Sequence, residues 1–421
     1  MAEGSGNAGI GKTTDDSMLG AGSLVAVGMM TMNVLVYAFT LLSARTLTAP
    51  AFGGLGAVLA ILIMVSVGAL ALQATGARRI ATASPDRRAE AAHDVLATAR
   101  VLAIGLAGGL FLASPILRLV LEVTWWVAVL IPVAVVPLTL LGGFAGVLQG
   151  RRAWSGLTLV FLGLGAGRLS FGGLALLLDD SLTAAVAGVT AGAFVPAIVG
   201  WIACHRLLGS SSGAPHRMVR EVWQNAHTLL AFFALTNLDV LIARSLLDNE
   251  ASGVYSAGAI LTKSCLFLPQ FVIIVAFPAM AEEQARDERN RAWLKPLGLV
   301  GLLGVAVSLG AVLLPDLTVT FVGGDQYAAL ADFVWLFAIE GTIFALLQMV
   351  LYRQIARRAL VAPMLWTAAG SLLALSLSLS LGLFPGLSAV GVELDQRSLV
   401  VAVIAVSAIV ALPVSRARAR L

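Results

Sequence analysis

Apolar residues run in long unbroken blocks along this chain, separated by short polar stretches. A helix crossing a hydrocarbon core of about 30 Å at 1.5 Å per residue needs about 20 mostly apolar residues. Twelve windows meet that length, near 22–44, 52–76, 96–118, 125–148, 154–178, 182–204, 226–246, 254–280, 293–316, 328–352, 360–384 and 397–414. A transmembrane strand would alternate apolar and polar over about ten residues. These windows are continuous and longer, so they read as helices. The pattern predicts an all-α integral membrane protein with twelve transmembrane helices. The largest connection, near 207–224, is under 20 residues. Chemistry, if there is any, therefore belongs between the helices.

Composition agrees. Of 421 residues, 59% are hydrophobic and 12% charged, with a mean hydropathy of +0.94. A soluble domain carries roughly 25% charged residues, so a soluble enzyme, a disordered protein and a nucleic-acid binder are excluded. The net charge of +4 belongs to the membrane topology. Of the 27 Lys and Arg, 21 fall in alternate connections and the two tails, and four (Arg45, Arg118, Arg244, Arg397) fall on the opposite side. Arg168 and Lys263 lie inside spans. By the positive-inside rule both termini are cytoplasmic, in a multi-pass protein of the cytoplasmic membrane. The expected organisation is a disordered tail over 1–19, a six-helix lobe over 20–206, a cytoplasmic connection over 207–224, a second six-helix lobe over 225–415 and a basic tail over 416–421. The tail lacks the features of a secretory signal, so the first span is expected to direct insertion itself. Cys204 and Cys265 form no CxxC and no Cys/His cluster, so neither a disulfide framework nor a metal site is indicated.

One soluble-enzyme motif is present by letter. Gly6 to Thr13 fits GxxxxGK[ST], with Gly6, Gly11, Lys12 and Thr13 at the defining positions. A working P-loop follows a buried strand and opens a helix. Only five residues precede Gly6 and no α/β domain follows, so the match reads as coincidence and no nucleotide site is expected. The HExxH signature is absent, and no enzyme is expected.

An internal repeat is visible. The first span ends in Ala44-Arg45-Thr46-Leu47 followed by Gly53, and the seventh in Ala243-Arg244-Ser245-Leu246 followed by Gly253. The copies lie six spans apart in the same orientation. They imply two six-helix halves related by an axis along the membrane normal, as in many transporters. With Arg45 and Arg244 superposed, Thr40 and Asp239 occupy equivalent places. Four ionisable residues lie well inside spans: Arg168, Asp239, Lys263 and Glu340. Each costs at least ~2.5–3.5 kcal/mol at the bilayer centre, so each needs a partner or a watery cavity. Asp239 and Lys263 sit on consecutive spans, roughly 10 and 15 Å below the outer edge, which makes an ion pair between them the simplest expectation. Polar stripes at helical spacing add Asn33, Tyr37 and Thr40, then Ser66 and Gln73, then Ser256, Lys263 and Gln270, with Glu340 and Gln348 on one face of the tenth span. These stripes read either as a lined cavity or as hydrogen-bonding contacts between helices. Arg45 and Arg244 read either as ligands or as side chains snorkelling to headgroups.

The stretch Ser43-Ala-Arg-Thr-Leu-Thr-Ala-Pro-Ala-Phe-Gly53, with Gln73-Ala-Thr-Gly-Ala-Arg-Arg-Ile80 closing the second span, resembles the opening of polysaccharide-export flippases. Leu235-Thr-Asn237-Leu-Asp239-Val-Leu-Ile-Ala-Arg244, with Gly253-Val-Tyr255-Ser-Ala-Gly258 and Phe277-Pro278, strengthens that resemblance. The superfamily also contains multidrug/cation antiporters and lipid II flippases, the latter typically with fourteen spans. The resemblance implies two lobes forming a V around a central cavity, and alternating access driven by a cation gradient (H+ or Na+) or by membrane potential, with no further cofactor. It implies an undecaprenyl-diphosphate-linked oligosaccharide as substrate, with membrane lipids as surroundings and glycosyltransferases or a polymerase of the same pathway as partners. On that reading Arg45, Arg244 and Lys263 attract the diphosphate, and Asp239, with Asn237 nearby, pairs with Lys263 or binds the coupling cation. Asn33, Thr40, Gln73, Arg168, Gln270 and Glu340 complete the candidate set. A multidrug/cation antiporter of the same fold, and a non-transport component of polysaccharide assembly, are the alternatives.

Overall fold

The computed structural model describes residues 9–207, 215–266, 294–356, 361–382 and 394–417. The first half contains α1 (Gly9–Thr46), α2 (Ala49–Thr82), α3 (Arg88–Leu112), a short α4 (Ser114–Leu121), α5 (Trp125–Gly150), α6 (Trp154–Leu178) and α7 (Leu182–Cys204). The second contains α8 (Pro215–Leu246), α9 (Asn249–Cys265), α10 (Leu294–Leu313), a short α11 (Pro315–Val322), α12 (Val334–Ala356), α13 (Ala362–Ser380) and α14 (Gln396–Arg416). Among the described residues, eleven helices are long and apolar enough to cross a membrane. The window near 254–280 is represented by α9, and its remainder, with Gln270, lies outside the described residues.

Local chemistry sets where the helices begin. Helices entering from the outer side need partners for their first N–H groups. Thr124 Oγ1 accepts from the Val127 N–H (3.3 Å), Ser181 Oγ from Ala184 (3.1 Å) and an Asp248 carboxylate oxygen from Ala251 (2.8 Å). Asp395 and Ser398 form a reciprocal capping box at the start of α14.

Three boundaries differ from the sequence expectation. The window near 96–118 breaks at Ala113, and the window near 293–316 ends at Leu313. Each break precedes a proline, Pro115 or Pro315, within the first two positions of a new short helix. Proline has no N–H to continue the previous ladder but fits an N-terminal turn. The tail expected to be disordered is entered by α1 from Gly9. Gly11, Lys12 and Thr13 are therefore helical backbone, and Gly6 lies outside the described residues.

The repeat is visible in the packing. α1 packs on α6 as α8 does on α13. α2 and α3 pack on α5 as α9 and α10 pack on α12. α7 contacts α5 and α6 as α14 contacts α12 and α13. The short helices α4 and α11 follow the third span of each half, so they too are copies. The result is two six-helix lobes. They meet chiefly where α2 packs along α8 and α9. Near the outer face Gly53 and Gly253 lie against each other. A Cβ on Gly53 would run into the Ser252 hydroxyl, and one on Gly253 into the Ala49 carbonyl oxygen. Only glycine permits this approach of the two helix starts.

Candidate functional site

The lobes enclose a central cavity of about 130 Å³, lined by Tyr37 and Thr40 of α1, Phe52 and Gly56 of α2, Arg168 of α6, and Ser256 and Lys263 of α9. Its charged lining residues are two cations, Arg168 and Lys263. Among the described residues no carboxylate lines it, although Asp239 and Glu340 lie near enough to Lys263 to act on its charge. The Arg168 guanidinium lies over the Phe39 ring at 5.7 Å, and its Nε is buried without a hydrogen-bond partner. Ser256 Oγ is likewise buried and unpartnered. The Tyr37 and Ser264 hydroxyls, 2.6 Å apart, join the lobes beside the cavity. Thr40 donates to the Val36 carbonyl of its own helix (3.0 Å). The wall is thus short of internal partners just where its positive charge concentrates.

Arg168 also lines a second cavity of about 210 Å³ inside the N-terminal lobe, shared with Ser66 and Gln73. Gln73 is tied there to Gln149 (3.0 Å). Asn33 lines neither cavity and is engaged in an interaction of its own.

Asp239 does not pair with Lys263. No salt bridge joins them among the described residues, and Asp239 Oδ2 accepts a hydrogen bond from the Tyr255 hydroxyl instead (3.1 Å). Consecutive residues on a helix point about 100° apart. Val240 lines the central cavity, and Asp239 turns into the C-terminal lobe, where it is 1% exposed. Glu340 is fully buried in the same lobe. Thr262 Oγ1 lies 3.1 Å from both Glu340 Oε2 and the Phe337 carbonyl oxygen. Tyr255 and Thr262, the residues that hold the two acids, are seven apart on α9 and so share a face. That spacing was readable beside Ser256 and Lys263, and it is the signal that would have found them. One oxygen of each acid, Asp239 Oδ1 and Glu340 Oε1, is buried without a partner. Asn237 donates to the Phe233 carbonyl of its own helix (2.9 Å).

Arg45 and Arg244 are outside the cavity. Arg244 is 5% exposed, and its guanidinium reaches across to the opposite lobe. It donates to the carbonyls of Leu121 (2.8 Å), Glu122 (3.2 Å) and Pro50 (3.2 Å). Arg45 makes the mirrored reach, donating to Thr320 on α11 (3.2 Å) from an exposed position. Each therefore neutralises the carbonyl end of the short helix of the other lobe, where a cation is favoured. Tyr327 adds an interlobe hydrogen bond to the Ala44 carbonyl (3.1 Å). Both arginines act in closing the outer seam.

No protein-family model matches the chain, and no curated protein matches it in sequence. Solved structures match its architecture. The lipid II flippase MurJ in an inward closed conformation superposes with a TM-score of 0.71 at 10% identity, over 93% of this chain and 86% of that one. An inward-facing multidrug resistance MATE family transporter of the MOP superfamily gives 0.63 at 11% identity, over 93% and 96%. The chain has the MOP-superfamily fold. An outward-facing MATE transporter of the MOP superfamily gives a TM-score of 0.53 at 12% identity, over 94% of each chain.

At the cytoplasmic end of the same α2–α8 seam, Glu221 bridges Arg78 and Arg79 of the other lobe, with 2.6 Å to Arg79. Burial alone would raise the Glu221 carboxyl, but the Arg79 and Arg78 guanidiniums outweigh it and hold the group below the usual carboxylate range. A lowered pKa means the latch is complete at neutral pH and is lost only as pH falls below the usual carboxylate range. The expected result is that a cysteine at buried Val222 reacts with a cytoplasmic maleimide at an unchanged rate between pH 5 and 8, once corrected for thiol ionisation. Glu221→Gln should raise that rate about two- to fivefold, the scale of a solvent-screened ion pair.

Proposed function

We propose that the chain is a transporter that moves a lipid-linked oligosaccharide, or a related polysaccharide precursor, across the cytoplasmic membrane by alternating access. The observation that carries this reading is the central cavity between the lobes, whose charged lining residues, among the described residues, are the cations Arg168 and Lys263, with Asp239 and Glu340 set back behind Lys263. Such a lining suits a phosphate or diphosphate and repels a cationic drug, which weighs against the multidrug/cation antiporter alternative. A cavity of about 130 Å³ accepts a phosphate-sized group. It falls short of the roughly 300–1,000 Å³ of ordinary ligand sites, so the lobes must part before a saccharide can pass. Asp239 and Glu340, each with an unpartnered buried oxygen, are assigned to the coupling cation, H+ or Na+. The pair lies behind α9, the helix that presents Lys263 to the cavity, so its occupancy can move the substrate wall. Glycosyltransferases would supply such a substrate and a polymerase would consume it.

The test is leaflet transfer of a fluorescent polyprenyl-diphosphate glycolipid in proteoliposomes. Transfer with all bonds intact is expected. A product with altered bonds would make the chain an enzyme of polysaccharide assembly, and efflux of cationic dyes without glycolipid transfer would make it an antiporter. Asp239→Asn and Glu340→Gln should each lower gradient-driven transfer at least tenfold while leaving binding within about twofold. Full gradient-driven rates in both variants would remove the coupling assignment.

A further inference from the structure

A cavity of about 550 Å³ opens where α2 and α3 of one lobe face α8 of the other. Its walls are apolar: Met64 and Val65 on α2, Leu102 and Leu106 on α3, and Leu230 on α8. Gly68 is its floor. A Cβ there would meet only Leu106, at 3.9 Å, so the missing side chain leaves space. One end differs. Arg220 and Trp223 lie there, exposed, at the cytoplasmic start of α8. Arg220 has no carboxylate partner among the described residues, because the adjacent Glu221 is taken by Arg78 and Arg79. Arg220 is therefore the one charged group among the described residues that line the groove, and it is a cation.

The dimensions match one leaflet. From Arg220 to Leu230 is ten residues of helix, about 15 Å, half of a hydrocarbon core of about 30 Å. Arg220 precedes the apolar span that begins at Ala226, which puts its guanidinium at headgroup depth. Trp223, 64% exposed, sits one turn deeper, where tryptophans concentrate at membrane interfaces. The volume lies within the range of a small-molecule site.

We propose that this groove is a binding site for an anionic phospholipid of the cytoplasmic leaflet, with one acyl chain along α2, α3 and α8 and its phosphate on Arg220. A lipid seated there touches both lobes and holds the α2–α8 seam in the closed arrangement. The site is separate from the central cavity, and its assignment does not depend on what the cavity carries.

The test uses the full chain in vesicles of phosphatidylcholine, with the brominated chains carried either by phosphatidylglycerol or by phosphatidylcholine. The readout is the part of the fluorescence that Trp223→Phe removes. Phosphatidylglycerol should quench Trp223 at about fivefold lower mole fraction than phosphatidylcholine, the preference expected of one arginine near an anionic lipid. Arg220→Gln, a change at an exposed position, should equalise the two lipids. Gly68→Phe should fill the groove and lower quenching by both. Equal quenching by the two lipids in the parent protein, or an unchanged preference in Arg220→Gln, would overturn the proposal. So would one-for-one relief of quenching by polyprenyl phosphate, which would give the groove to the substrate's tail.

Discussion

Lys263→Ala should weaken binding of a polyprenyl diphosphate about tenfold, and Arg168→Ala by ten- to a hundredfold. A hydrogen bond to a charged group contributes about 1.5–3 kcal/mol, and each 1.4 kcal/mol is tenfold in affinity. Arg168 is expected to matter more for three reasons. Its buried Nε is already desolvated and unpartnered. Its position over the Phe39 ring fixes the plane of the guanidinium. A planar fork can also grip two phosphate oxygens at once. Lys263→Arg should keep most of the affinity and Arg168→Lys should not. The two positions line one cavity, so the double variant should lose less than the product of the single effects if one phosphate bridges them. Titration of the purified protein with polyprenyl diphosphate, at low and at high salt, measures all five variants. Gln73→Leu is the control, since Gln73 is held by Gln149 in the other cavity. Parental affinity in both alanine variants would remove the cavity from the substrate path.

The gross architecture was legible because the bilayer imposes it. A 30 Å core demands some 20 apolar residues, and loop charges repeat their side with each crossing. The repeat was legible from Arg45 and Arg244, although their work was not. Their acceptors are carbonyls of Thr320, Leu121 and Glu122, more than 120 positions away. A snorkelling arginine and a gating arginine look alike in one dimension. The division of the intramembrane charges was hidden for another reason. Depth can be counted along a helix, but its rotation against neighbours cannot. Asp239 and Lys263 are at similar depth on adjacent helices, yet one faces Tyr255 inside a lobe and the other the central cavity. The short helices α4 and α11 were hidden by hydropathy that continues through the breaks at Ala113 and Leu314. Pro115 and Pro315 were the available signal.

Arg244→Ala should open the outer seam. The side chain is nearly fully buried, and its loss leaves the carbonyls of Leu121 and Glu122, at the C-terminal end of α4, without the donor it supplies. Removing one partner from a buried polar contact costs about 1–3 kcal/mol per orphaned group. Water entering the parted seam returns part of that, so the closed state should lose on the order of 2–4 kcal/mol relative to an outward-open one, consistent with the same scale. At 1.4 kcal/mol per decade, the outward-open population should rise by a factor on the order of 30 or more. Ser252, fully buried against Gly53, is the reporter position. A cysteine there should be almost inert to a membrane-impermeant maleimide added outside, and should react at least tenfold faster once Arg244 is alanine. Arg45→Ala should raise the same rate only about two- to threefold. Its single 3.2 Å bond to Thr320 is exposed, and solvent replaces an exposed hydrogen bond at little cost. The asymmetry has a structural origin. The second lobe already holds the end of α1 through Tyr327 and Gln326, both of which donate to the Ala44 carbonyl, whereas the end of α4 has, besides Arg244, only the exposed bond from Asn249 to the Glu122 carboxylate among the described residues. Equal acceleration by the two variants would mean that both arginines only snorkel and that the glycine crossing alone closes the outer face.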